Sequence, residues 1–282
     1  MTSPRIGSLH VYPVKGCGGF AVDSATVAVT GLTTGGAGDR EWMVVDPDGR
    51  FLTQREWPRL ALVRTAIADG TLHLSAPETD ALAVPLAAAT GTARDVVVWR
   101  SDVRAFDAGD DAATWLSTWL ATDVRLVRFD PGRERACNPD YAGDSGAHTF
   151  FSDGYPVLVI GDGSLAELND RLAARGHPAL PMNRFRPNVV LHGLEPFAED
   201  HADTITTDGV VLKCVKPCVR CQVTTTDQAS GAVGLEPLRT LGEFRMDARM
   251  DGVTFGMNAI VVAGAGRALH AGASAEIGYR FA

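Results

Sequence analysis

Short alternating runs fill the first hundred residues. Residues 6–14 are apolar with small and polar interruptions, and residues 25–30 alternate β-branched and small side chains before Gly31. Residues 41–46 run into Pro47-Asp48-Gly49 and continue through residues 50–53. Proline presets φ at the first turn position and glycine accepts the left-handed one, so this segment predicts a hairpin. Residues 71–75 and 95–99 extend the pattern. Strands this short and this regularly punctuated predict a barrel or sandwich rather than βαβ units.

Two segments carry the helical period instead. Trp115, Leu116, Trp119 and Leu120 share one helical face, with Asp110 or Asp111 placed to cap its start. Ser164-Leu165-Ala166-Glu167 has capping-box spacing and predicts a helix with Leu165, Leu168 and Leu172 inward and Gly176 as its stop. Residues 188–192, 208–213 and 254–263 return to strand. Residues 130–146, rich in Pro, Gly, Asp and Arg, predict a long loop of the kind that is often functional. Together these elements predict a β-rich α+β protein.

A chain of 282 residues can bury one large core or two modest ones, which predicts two domains or one barrel with insertions. The formal charge of −8 argues against a nucleic-acid or anionic-membrane binder, and so against nucleic acid or membrane as partner. Local basic clusters remain free to grip one small anion. No apolar run reaches the length of a spanning helix, and Met1-Thr2-Ser3-Pro4-Arg5 leads straight into a strand-like segment. A cytoplasmic location without signal peptide or membrane anchor is therefore expected. Five cysteines do not suggest a disulfide framework in such a chain.

Three of those cysteines, Cys214, Cys218 and Cys221, fall within nine residues, among Lys213, Lys216 and Arg220. Thiolates are the nucleophiles and soft metal ligands, and neighbouring cations favour them. Cys218 and Cys221 have the spacing of half a zinc site, but no second pair exists and the seven histidines show no ligand spacing. A thioredoxin-type pair is disfavoured because a polar threonine run follows. Inert buried thiols are the plainer alternative, one that the flanking cations disfavour.

Basic residues also sit in three distant turns. Arg184 and Arg186 would share a face of an extended segment before the Asn188 strand, and guanidinium forks suit phosphate or carboxylate. Lys15 and Gly16 lie in the glycine-rich end of Tyr12-Pro13-Val14-Lys15-Gly16-Cys17-Gly18-Gly19, and Arg40 closes a second glycine-rich turn. Singly, each reads as structural. Together they suggest cations converging on an anionic cofactor beside one thiolate.

Tyr-Pro-Val-Lys, Asp-Arg before Trp-Met-Val-Val, Phe-Arg-Pro-Asn and Cys-x-Arg-Cys-x-x-Thr-Thr-x-Asp occur here in that order. The combination resembles the MOSC proteins with an N-terminal MOSC β-barrel domain. That group includes mitochondrial amidoxime-reducing components and bacterial reductases of N-hydroxylated compounds. The resemblance implies an N-terminal β domain over residues 1–122 and a MOSC β-barrel over residues 123–282, with the cofactor between them. It implies a molybdenum cofactor (Mo-molybdopterin) with Cys221 as the metal ligand and catalytic residue. Lys15, Gly16, Arg40, Asp153, Gly154, Arg186, Asn188, Val219, Arg220 and Asn258 would hold the pterin and its phosphate, the Ser152-Asp153-Gly154 turn by its backbone. Cys218 would support the metal ligand or be merely structural, and Cys214 would pack within a strand.

Three positions depart from the family pattern: Gly16 and Val219 stand where serines are common, and Asn258 where the animal proteins carry an aromatic. These touch pterin contacts and substrate preference. Asp227, His148, Asn138 and Tyr141 are expected on the substrate side. The implied activity is reduction of hydroxylamines, amidoximes or N-hydroxylated bases. Electrons would come from a separate ferredoxin, flavodoxin or cytochrome with its reductase, because no second redox centre is evident. With its last residue at Ala282, the chain is expected to carry neither the iron–sulfur domain nor the membrane anchor of some relatives. The rival function is a molybdenum-cofactor or sulfur carrier, since MOSC domains also end cofactor sulfurases.

Overall fold

In the computed structural model, which describes residues 3–87 and 91–280, the apolar runs pair into one dominant sheet. Across that sheet lie Phe20–Val22, Arg5–Val11, Val189–His192, Val157–Gly161, Gly252–Ala263, Val210–Val219, Ala202–Thr207 and Glu276–Tyr279. Its pairings are antiparallel except that of Val157–Gly161 with Val189–His192, which the helix Asp162–Ala174 connects. A parallel pair needs such a crossover, because a tight turn cannot reverse the chain twice. Inward side chains such as Leu9, Val11, Val159, Val189, Leu212 and Met257 are fully buried and form the main core. Cys214 belongs to it, as ordinary strand packing.

The N-terminal half folds into smaller sheets around a second core of Val14, Trp42, Leu52, Leu60, Leu72 and Leu116. Ala93–Val98, Ser101–Asp107, Arg125–Phe129 and Trp42–Val45 form one of them. The Pro47-Asp48-Gly49 turn is present, with Gly49 at φ 78° and Val45 bridged to Phe51, although its return leg is a single bridge rather than a strand. The protein is β-rich α+β with a barrel-like N-terminal part. The halves are joined through their sheets: Arg5–Val11 pairs with Val189–His192, and Ala268–His270 pairs with Ser24–Ala28.

Both helix starts differ from expectation. Asp110–Leu120 is entered through Gly109 at φ 101°, and Asp110 and Asp111 lie within the first turn, where their charge suits the helix dipole. The neighbouring Asp107 accepts the Gly109 N–H at 2.8 Å, and no side chain caps the first turn. Asp162–Ala174 starts before Ser164, whose hydroxyl donates to Glu199 and accepts the Phe197 N–H. A buried tertiary carboxylate has captured the serine, so no capping box forms. Gly176 ends this helix as expected, at φ 75°.

The strands beside the site are irregular. Val210–Val219 runs past the predicted end at Lys213 and includes Pro217, which has no N–H to give the ladder. Its register against Gly252–Ala263 slips at Val211/Leu212, Cys214/Lys216 and Pro217/Val219. The last slip lies opposite Gly256, which takes φ 77°. A Cβ there would meet the Val159 carbonyl oxygen at 2.7 Å and Ile160 at 2.6 Å, so only glycine fits this bulge.

Candidate functional site: a cation-lined cleft with an exposed thiol

The bulges turn Cys218, Val219 and Cys221 toward a cleft where the two halves meet. Lys15, Gly16, Arg40, residues 51–55 and Trp99 line it from one half; residues 152–155, Arg186, Asn188, Cys218, Cys221 and Asn258 line it from the other. All eleven residues implied by the resemblance lie on its walls: Lys15, Gly16, Arg40, Asp153, Gly154, Arg186, Asn188, Val219, Arg220, Cys221 and Asn258.

Lys15 is held by a backbone bond to Trp42 and is 8% exposed. Its Nζ donates to the Phe151 carbonyl at 2.8 Å and to the Asp153 carboxylate at 2.5 Å. Burial lowers the Lys15 pKa, and Asp153 works against that. The cleft walls partly desolvate Asp153, whose side chain is nonetheless 73% exposed, and the Lys15 ammonium, the Trp99 indole N–H and Arg40 hold its pKa below the usual carboxylate range. The turn carrying Asp153 is clamped by Arg135, whose guanidinium donates to the carbonyls of Phe150 and Ser152. Arg135 comes from the predicted long loop, and this is that loop's contribution to the site.

Arg40 and Arg186 both stack on Tyr12, at 4.3 and 4.4 Å from its ring centroid. Arg40 pairs with buried Asp39 at 2.5 Å and donates to the Arg186 carbonyl at 3.1 Å. Arg186 is otherwise. It is 8% exposed, its nearest acceptor is the Gln228 amide at 3.5 Å, and Nη2 has no partner among the described residues. Burial, reinforced by Arg40, holds its pKa down to about 10. Arg220 donates to the Cys218 sulfur at 3.0 Å and the Phe185 carbonyl at 2.6 Å, leaving Nε without a partner. A buried guanidinium lacking counter-charge costs several kcal/mol, so these atoms suit an anionic group in the cleft. The donor set therefore fits a phosphate-bearing ligand, and the exposed Cys221 offers a soft thiol beside it.

Arg184 does not join Arg186. Met182–Arg184 is a 3-10 turn and Arg186 sits at φ 56°, so the segment is not extended and the two side chains diverge. Arg184 instead braces the cysteine loop, donating to the Thr225 carbonyl at 3.0 Å and to Asp227 at 2.8 Å. Asn188 spends its amide on the Leu158 N–H and the His10 carbonyl, fixing the strand floor.

The four residues expected on the substrate side lie off the cleft walls. Asp227 is occupied by Arg184 and by the N–H groups of Ala229 and Ser230. Asn138 caps the short helix Pro139–Ala142, Tyr141 lies under Lys216 at 4.4 Å, and His148 meets the Gly146 carbonyl at 3.2 Å. Local capping and packing occupy their polar groups.

Sequence reasoning passed over Tyr12, Gln54, Gln228, Arg55 and Trp99. Tyr12 stands in the Tyr-Pro-Val-Lys motif and could have been singled out as a platform for cations. The buried Gln54–Gln228 pair, at 2.9 Å, joins residues from opposite halves and leaves no local signal.

Residues 3–123 match the family model of the MOSC N-terminal beta barrel domain, and residues 147–275 match that of the MOSC domain. The bovine (Bos taurus) mitochondrial amidoxime reducing component 2 is 35% identical over 246 residues, spanning 86% of this chain and 72% of its own. The mouse (Mus musculus) mitochondrial amidoxime-reducing component 1 is 36% identical over 246 residues, spanning 86% and 71%. Its human (Homo sapiens) counterpart is 35% identical over 246 residues, spanning 85% and 72%. With both domain models in order and relatives matched along most of their length, the chain belongs to the MOSC family, in the group with an N-terminal MOSC barrel.

Proposed function

We propose that the protein is a molybdenum-cofactor-dependent reductase of N-hydroxylated compounds, supplied with electrons by a separate redox protein. The observation that carries this reading is the buried guanidinium of Arg186, its Nη2 without a partner among the described residues, in the same cleft as the exposed Cys221 thiol. Family membership and the names of the relatives support it.

In this reading Cys221 is the protein ligand to molybdenum, as its thiolate. Arg186 and Arg220 would neutralise the phosphate, and Arg40 and Lys15, already ion-paired to Asp39 and Asp153, would orient the pterin through charge-assisted hydrogen bonds. Gly16, the Ser152-Asp153-Gly154 turn, Asn188, Val219 and Asn258 complete the walls. When bound, the cofactor supplies the two-electron chemistry that converts N–OH to N–H and releases water. The two halves of the chain would hold that group between them. A ferredoxin, a flavodoxin or a cytochrome with its reductase would deliver the electrons.

The test is anaerobic reduction of benzamidoxime to benzamidine by protein from a molybdenum-replete host, with a reduced viologen as donor. Turnover that disappears in protein from molybdenum-starved cells is the expected result. Molybdenum-loaded protein that leaves benzamidoxime untouched but surrenders its cofactor to an acceptor enzyme would favour the carrier function instead.

A further inference from the structure

The cations of the cleft fall into two groups at different depths. The deeper group is Arg186, which is buried, and Arg40, whose side chain is 13% exposed, both on Tyr12. The other lies at the mouth. There Arg55, half-buried, lays its guanidinium over the Trp99 ring, 4.8 Å from the centroid. Trp99 is 44% exposed and occupies a two-residue hairpin turn at φ 57°, a conformation bulky L-residues rarely adopt. Its ring is fixed from two sides: the indole N–H donates to Asp153 at 3.1 Å, and Phe51 meets it edge-on with centroids 5.0 Å apart.

Trp99 is therefore a rigid platform at an open mouth, and the Arg55 guanidinium sits over its ring. Lys15 is neutralised by Asp153 and Arg40 by Asp39, whereas Arg55 has no ion-pair partner among the described residues. A guanidinium stacked on an aromatic face keeps its in-plane N–H groups free, and that edge is a two-pronged donor matched to a carboxylate. We infer that Arg55, positioned by Trp99, recognises a carboxylate on the N-hydroxylated substrate and makes the site prefer anionic substrates over neutral ones. This rests on the reductase reading above. The same chemistry would serve an anionic oxygen of the cofactor, and the experiment separates the two sources.

Two probes suffice: benzamidoxime and its para-carboxylate. Their binding is followed by calorimetry, and their turnover with a reduced viologen, for wild type, Arg55→Gln and Arg55→Lys. Molybdenum per chain is measured on each preparation. The expected result for Arg55→Gln is a roughly tenfold rise in Kd and KM for the carboxylate probe, the size of one charge-assisted contact. Neutral benzamidoxime should be unchanged, molybdenum content retained, and Arg55→Lys intermediate.

Equal weakening of both probes would overturn the inference. So would loss of molybdenum from Arg55→Gln, which would assign Arg55 to the cofactor. Should molybdenum-loaded wild type fail to turn over either probe, the reductase reading fails, while the binding difference between probes still decides the role of Arg55.

Discussion

Arg186 carries a positive charge into the protein without a matching negative one. Its pKa is held down to about 10, below that of an unfolded arginine, chiefly by burial and then by Arg40. The sign follows: the charged form is disfavoured in the folded state at neutral pH, and that cost fades as pH rises through the folded pKa. Replacing an uncompensated buried charge by an apolar side chain relieves it. Arg186→Met should therefore stabilise the cofactor-free protein at pH 7 by about 1–3 kcal/mol in denaturant unfolding, while the same variant loses bound cofactor. Destabilisation of the cofactor-free variant would show that the guanidinium is already satisfied. The five thiols divide just as clearly. Burial pushes Cys17 and Cys214 up to about 12 and Cys137 up to about 11, while Cys218 is half-exposed and Cys221 exposed. Iodoacetamide at pH 8 should label Cys218 and Cys221 in the native cofactor-free protein and all five cysteines after denaturation, read by mass spectrometry. Native labelling of Cys17 or Cys214 would contradict the packing.

The elements that aim these residues are the irregular ones. The bulge at Gly256 lets Gly252–Ala263 bend past Val157–Gly161, and Asn258 and Val219 sit on either side of it. Gly256→Ala adds a Cβ against a backbone oxygen at 2.7 Å and forces φ 77° on an L-residue. A cost of about 2–4 kcal/mol is expected, the sum of backbone strain and overpacking. It should appear as a lower unfolding midpoint with an unchanged m-value, and a loss under 0.5 kcal/mol would show that the bulge yields easily. This scale also marks where sequence reasoning stopped. The alternating runs showed most strands beside the site, because apolar periodicity is local. The register slips in Val210–Val219 were illegible, because they depend on what Gly252–Ala263 presents across the ladder. Ser164 misled for the same reason: Glu199, thirty-five residues away, takes its hydroxyl.

For the whole molecule, the joining of the two halves is what makes a site. Arg5–Val11 pairs with Val189–His192, and the Gln54–Gln228 and Lys15–Asp153 contacts cross the same seam. Lys15, Arg40, Arg186 and Arg220 lie far apart in sequence, yet each stands in a compact motif, which is why they could be named before their convergence was visible. Arg55 and Trp99 had no such motif. Their relation comes from a hairpin tip meeting the segment after a turn, and only the fold shows it.

The central claim is that this cleft holds molybdenum through one thiolate. Molybdenum per chain, measured by elemental analysis on protein from a replete host, tests it most directly in wild type, Cys221→Ala and Cys218→Ala. The account predicts near one molybdenum in wild type, close to none in Cys221→Ala, and most of the wild-type content in Cys218→Ala. Equal loss from both variants, or full molybdenum in Cys221→Ala, would contradict it.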